Sequence, residues 1–210
     1  MRRLALLLPL AVALGCGARS QPKPTEPSPP DLDFPVGSFS FTERSGKTVT
    51  DADLKGKVWI AGFIFTRCSG PCPHVSATMA RLHKELPVRD DLRLVTFTVD
   101  PEYDTPARLK EYAKNFTTDT DRWLFLTGAE KDIHALLRTR FKQAVERNPA
   151  PDAKPGEEFF HSSRLAVVDR AGVIRAVFDG KSADNQPDAK EQFEENLTRL
   201  KEKVAKLLEE

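Results

Sequence analysis

The stretch Val58 to Leu86 reads V-W-I-A-G-F-I-F-T-R-C-S-G-P-C-P-H-V-S-A-T-M-A-R-L-H-K-E-L, an apolar run followed by two cysteines and an amphipathic segment. Val58 to Phe65 is a continuous apolar run rich in β-branched and aromatic residues, the composition of a strand buried on both sheet faces. Thr66 and Arg67 then lead into Cys68 and Cys72, spaced C-S-G-P-C. Pro73 stands where a helix opens, a position at which its missing N–H costs nothing. From there Val75, Met79, Leu82 and Leu86 recur at helical spacing and form one apolar stripe, with His74, Ser76, Arg81 and Lys84 off it. Two thiols therefore sit at a strand-to-helix junction. The unpaired N–H groups of a helix N-terminus favour thiolate over thiol, and thiolate is the form that binds metal or attacks a disulfide.

Outward from this stretch the chain alternates. Ser38 to Thr50 alternates apolar and polar residues on both sides of Ser45-Gly46, a hairpin signal. Leu92 to Val99 is the next apolar strand, so strand, helix and strand make a parallel βαβ unit. D-P-E-Y-D-T-P, Asp100 to Pro106, precedes a helix over 107–116, with Asp104 or Thr105 as its cap and Pro106 in its first turn. Trp123 to Leu126 reads as a short strand and Glu130 to Phe141 as a helix. The prolines and charges of Gln143 to Glu158 break all periodicity and predict an exposed, mobile loop. His161 follows, just ahead of a strand at Leu165 to Asp169, which turns at Arg170-Ala171-Gly172 into a second strand, Val173 to Phe178. A last helix from about Asp188 carries the stripe Phe193, Leu197, Leu200, Val204 and Leu207. This order predicts a thioredoxin-like α/β fold with an N-terminal hairpin, a C-terminal helix and helices on both faces of the sheet.

The 210 residues suffice for one core, and 32 basic against 31 acidic residues give a formal net charge of +1. That balance offers no pull toward nucleic acid. The opening M-R-R and the apolar run that ends at Gly15-Cys16 read as an export signal over residues 1–16, too short to span a bilayer. The V-A-L-G-C junction is similar to a bacterial lipobox, which makes Cys16 the candidate for lipidation, although Ala13 stands where that pattern prefers Leu. Residues 17–35, rich in proline and polar side chains, form a tether, and residues 36–210 form the folded domain. Export places Cys68 and Cys72 where thiols are prone to oxidation.

Three residues between the cysteines, rather than two, let the sulfurs diverge enough to hold a metal, while a disulfide stays sterically possible. Two soft thiolates select Cu(I), with zinc as a further candidate. Among possible third donors, His74 points away from Cys72 on a helix, His83 lies about 16 Å along the axis, and His134 reads as a surface or boundary residue. His161 can reach over the end of the sheet, but a lone loop histidine is also an ordinary polar residue, and the residues alone leave that choice open.

F-T-R-C-S-G-P-C-P at Phe65 to Pro73, V-D-P-E-Y-D-T-P at Val99 to Pro106, and His161-Ser162 before an L-x-V-V-D strand together resemble the Sco/SenC family, thioredoxin-like proteins that deliver copper to cytochrome c oxidase. The resemblance covers about Phe41 to the C-terminal helix. It implies that Cys68, Cys72 and His161 are copper ligands and that Asp100 matches an acidic position behind the site or at a partner surface. It further implies an envelope copper metallochaperone that loads the CuA centre of the oxidase, or keeps that centre's cysteines reduced. The partners implied are the copper-bearing oxidase subunit and a thiol reductant or copper donor. The chain departs from the family at Ser69-Gly70, where Pro-Asp is usual, and at His74, where an acid is usual. The rival reading is a metal-independent thiol-disulfide oxidoreductase or thiol peroxidase, and a third is a structural zinc or disulfide site.

Overall fold

The computed structural model describes residues 32–183 and 186–210. The expected export signal, Cys16 and the tether up to residue 31 lie outside the described residues. In chain order, β1 (Phe34–Pro35) precedes the hairpin β2 (Ser40–Glu43) and β3 (Thr48–Thr50), the one-turn helix α1 (Asp51–Leu54) and β4 (Val58–Ile64). Then come α2 (Cys72–Glu85), β5 (Leu92–Thr98), α3 (Pro106–Ala113), β6 (Trp123–Thr127) and α4 (Glu130–Thr139). The chain closes with β7 (Val145–Arg147), β8 (Phe159–His161), β9 (Arg164–Val168), β10 (Val173–Asp179) and α5 (Ala189–Glu209).

All seven residues of β4 are buried, so both faces of the sheet are covered at that strand. Its neighbours follow from the βαβ reading: β5 pairs with it in parallel from Val58–Leu92 to Ile64–Thr98, and β6 continues the parallel set. On its other side β9 runs antiparallel, and the full order is β1-β10-β9-β4-β5-β6-β2-β3. Aromatic rings fill the core around the strand, with Phe63 against Phe97 at 6.0 Å and against Phe141 at 5.0 Å between centroids. The stripe Val75, Met79, Leu82 and Leu86 is buried, as are Leu197, Leu200, Val204 and Leu207 of α5, while Phe193 is half-buried. The thioredoxin-like arrangement is thus present.

Three local expectations change. Phe34–Pro35, assigned to the tether, instead pairs with β10 as an edge strand; Pro35 fits there because an edge residue need not donate to the ladder. Residues 143–158 are not a free loop: β7 and β8 form a two-stranded sheet, with Val145 and Phe159 buried beneath the charges that masked them. His161 is accordingly the last residue of a strand rather than part of a loop. The helix after Pro106 ends at Ala113, and Thr105, not Asp104, caps it by accepting the Arg108 N–H at 3.4 Å.

Candidate metal centre

The C-terminal end of β4 delivers one half of the site. Phe65 is the last buried residue before the chain turns, and Cys68 N–H donates back to the Phe65 carbonyl at 3.2 Å. Cys68 is half-exposed, whereas Cys72, the first residue of α2, is fully buried. The second half arrives from 89 residues further on: His161 Nε2 lies 3.2 Å from Cys72 Sγ. The His161 ring packs edge-on against Phe65 at 5.7 Å, and Phe159 packs on the same Phe65 ring at 5.9 Å. His161 Nδ1 lies 2.9 Å from the Ser162 carbonyl. A carbonyl cannot donate, so Nδ1 carries a proton toward Ser162, and Nε2 is the ring nitrogen turned toward the sulfur.

The two thiols are driven apart chemically. Cys68 is pulled down to about 4, first by the hydrogen bond from Cys72, against the cost of burial, with further help from His161 and the Cys72 and Gly70 backbone. The Gly70 N–H sits 3.4 Å from the Cys68 sulfur. Cys72 is pushed up, first by its burial and then by the Cys68 sulfur beside it. The helix start therefore does not make both cysteines thiolates. Desolvation overrides the N-terminal field at Cys72, and the pair holds one thiolate and one thiol.

A long connection buttresses this arrangement. Ser69 N–H donates to the Gly156 carbonyl at 3.2 Å, and a Cβ at Gly156 would fall 2.7 Å from the Ser69 Cβ and Oγ. Gly156 also has φ of +97°, so only glycine fits without strain. Beside it, Arg67 pairs with Glu158 at 3.0 Å and with Asp100 at 2.7 Å, and stacks over Tyr103. Asp100 is fully buried, and its second oxygen, Oδ1, has no hydrogen-bond partner. It touches the residue before Cys68 rather than a cysteine.

The other histidines are elsewhere. His74 is exposed. His83 packs on Trp123 and lies 3.8 Å from Asp119. His134 is buried, not a surface residue; its Nε2–H donates to the Val99 carbonyl at 2.8 Å, which satisfies it inside the core. Asp104, one of the two caps expected for α3, is instead fully buried and accepts hydrogen bonds from Thr66 and Thr98. Its place in D-P-E-Y-D-T-P was the available signal, since Thr105 leaves it unneeded at the cap.

Two thiols and one directed imidazole are a soft donor set that fits copper or zinc. Among the described residues, no three His, Cys, Asp or Glu side chains are spaced as a ready-made metal cage. The trio is held together by hydrogen bonds, and coordination requires the shared thiol proton to leave.

A thioredoxin-type sheet with a thiol pair on its βα turn and an imidazole brought over it defines a thiol-and-imidazole protein of the thioredoxin class. The chain belongs to the SCO1/SenC family, whose profile matches residues 29–198. It is 35% identical over 158 residues to the SCO1 protein homolog of Bacillus subtilis, covering 74% of this chain and 78% of that one. Among solved structures it is similar to BsSco, a member of the Sco family of cytochrome c oxidase assembly proteins in which a disulfide switch was identified, with 32% identity, a TM-score of 0.62, and 83% and 97% of the two chains covered. It is also similar to Bradyrhizobium japonicum ScoI with copper bound, at 27% identity and a TM-score of 0.56, covering 76% and 98%.

Proposed function

We propose that Cys68, Cys72 and His161 together hold one copper ion, and that the chain delivers it to the CuA centre of cytochrome c oxidase or keeps the thiols of that centre reduced. The observation that carries this reading is the 3.2 Å approach of His161 Nε2 to Cys72 Sγ, with the ring oriented by the Nδ1 contact to the Ser162 carbonyl. A dithiol reductant can work with the two sulfurs alone, whereas a copper site gains a third donor from an imidazole placed in this way. Membership of the family, the copper held by the Bradyrhizobium relative and the oxidase-assembly role of BsSco support it. Copper is cargo here: two sulfurs suffice for Cu(I), and the imidazole matters most for Cu(II). The protein is exported and acts on the outer side of the membrane, lipid-anchored at Cys16. Its partners are the copper-bearing oxidase subunit and a copper donor or thiol reductant.

One observation favours a second role at the same atoms. A half-exposed Cys68 thiolate beside a buried Cys72 thiol is the attacking and resolving arrangement of a thiol-disulfide reductant. Copper titration of the reduced full-length chain, with a competing chelator, separates the two. Expected are one copper per chain, loss of both oxidation states in the Cys68→Ala, Cys72→Ala double variant, and Cu(II) binding at least about tenfold weaker in His161→Ala, about 1.4 kcal/mol. If His161→Ala binds both ions as wild type does, while thiol exchange depends on the cysteines alone, the reductant reading replaces the chaperone reading.

A further inference from the structure

The two sulfurs reach the site by different routes. Cys72 opens α2, whose buried face is anchored through Val75, Met79 and Leu82. Cys68 stands on the turn, and its place relative to Cys72 depends on where the turn is rooted. That root is Thr66. Its N–H donates to Asp104 Oδ2 at 2.9 Å, and its hydroxyl donates to Asp104 Oδ1. The hydroxyl of Thr98, the last residue of β5, donates to Asp104 Oδ2 as well. Asp104 is itself immobilised: it is fully buried, and its own N–H donates to the Asp100 carbonyl at 2.8 Å. Three donors converge on one side chain, and a carboxylate, which only accepts, is the group that matches them. Capping of α3 does not explain it, because Thr105 does that work.

We propose that Asp104 is the positioning residue of the thiol pair: by gripping both the N–H and the hydroxyl of Thr66 it sets the separation of the Cys68 and Cys72 sulfurs and so biases the pair toward the open dithiol over the disulfide. This inference rests on the reading of Cys68 and Cys72 as the working thiols. The grip is observed with both cysteines free. Closing an S–S bond requires Cys68 to come to bonding distance of Cys72, and with Cys72 on a helix anchored by its buried face, the adjustment is expected in the turn rooted at Thr66. Loss of the grip therefore favours the disulfide.

The test is equilibration of the full-length chain with dithiothreitol, which gives two electrons and two protons to the Cys68–Cys72 bond and closes its own ring disulfide. Thiol counting and the thiolate-to-Cu(II) absorption band are read on wild type, Asp104→Ala, Asp104→Asn and Thr66→Val. In Asp104→Ala the equilibrium should move about tenfold toward the protein disulfide, about 30 mV for a two-electron couple, and the band should shift. Asp104→Asn should stay within about threefold of wild type, because its carbonyl oxygen keeps the Thr66 N–H bond. Thr66→Val, which loses only the hydroxyl bond, should move the equilibrium about threefold in the same direction. If Asp104→Ala does not fold, Thr66→Val decides alone. Variants that melt lower but match wild type within twofold in both equilibrium and band overturn the proposal, as does a shift toward the dithiol. Wild type that takes no copper sinks the proposed function and leaves the thiol equilibrium readable; copper binding with unresponsive variants sinks this inference alone.

Discussion

The site is made of two halves that are held in different ways. The strand-to-helix half, Phe65 to α2, grows out of the most buried part of the molecule, where every residue of β4 is enclosed and Cys72 is inaccessible. The hairpin half, residues 143–161, forms a separate two-stranded sheet that meets the strand-to-helix half through Phe159 and His161 on the Phe65 ring, Ser69 to Gly156, Arg67 to Glu158, and His161 to Cys72. One half is rigid because the core encloses β4 and the inner face of α2, and the other is placed by two buried anchors, Val145 and Phe159, together with a handful of polar and glycine-dependent contacts. Damage to the first should cost the fold. Damage to the second should cost the site while the fold survives.

The largest effect tests the rigid half. Leu82→Ala, on the buried face of α2, should destabilise the protein by about 3 kcal/mol through lost burial and a cavity. Chemical denaturation checks this, and a loss below about 1 kcal/mol would mean that α2 is held less firmly than its burial implies. Gly156→Ala should come next, because its Cβ meets Ser69 and the residue must keep a left-handed φ. A cost of about 1–3 kcal/mol is expected, confined to the hairpin. Hydrogen exchange should accelerate over 143–161 and leave β4 and β5 protected; equal acceleration in both would erase the distinction between the halves.

A smaller effect concerns reactivity. A Cys68 held near 4 stays thiolate through neutral pH, so its alkylation by iodoacetamide should be flat from about pH 6 to 9 and fall as pH approaches 4. Buried Cys72 should react only after unfolding. His161 is one of the groups that lower Cys68, so His161→Ala should move the alkylation midpoint upward while thermal stability changes little. A wild-type midpoint near the ordinary cysteine value of about 8.5 would contradict the unequal pair.

The same division decides what could be read from the sequence. Val58 to Leu86 declares its structure because strand and helix periodicities are local and the core pattern is dense, and the pairing of β4 with β5 follows from it. The hairpin half hid its structure: Ala144-Val145 and Phe159-Phe160 are short apolar islands separated by prolines and charges, too sparse to show a period. Proximity of His161 to Cys72 depends on a register between distant segments that spacing cannot reveal; the residues alone offered His161 only as an open candidate, and the resemblance singled it out. Burial reversed two local readings. His134 looked like a boundary residue but finds a carbonyl inside the core, and Cys72 looked like a helix-start thiolate but is desolvated into a thiol. Asp104 was visible as an acid in a motif, but its three donors come from β4's end and β5, which no local pattern joins.

The most direct measurement of the central claim is X-ray absorption at the copper edge of the full-length chain loaded with one equivalent of Cu(I) and then oxidised, with His161→Ala beside it. The expected result is two sulfur neighbours in both wild-type states, with one imidazole nitrogen joining them in Cu(II) and vanishing in His161→Ala. A wild-type Cu(II) spectrum that keeps two sulfurs, lacks the imidazole and is unchanged by His161→Ala would contradict it, because the hairpin half would then contribute nothing to the metal.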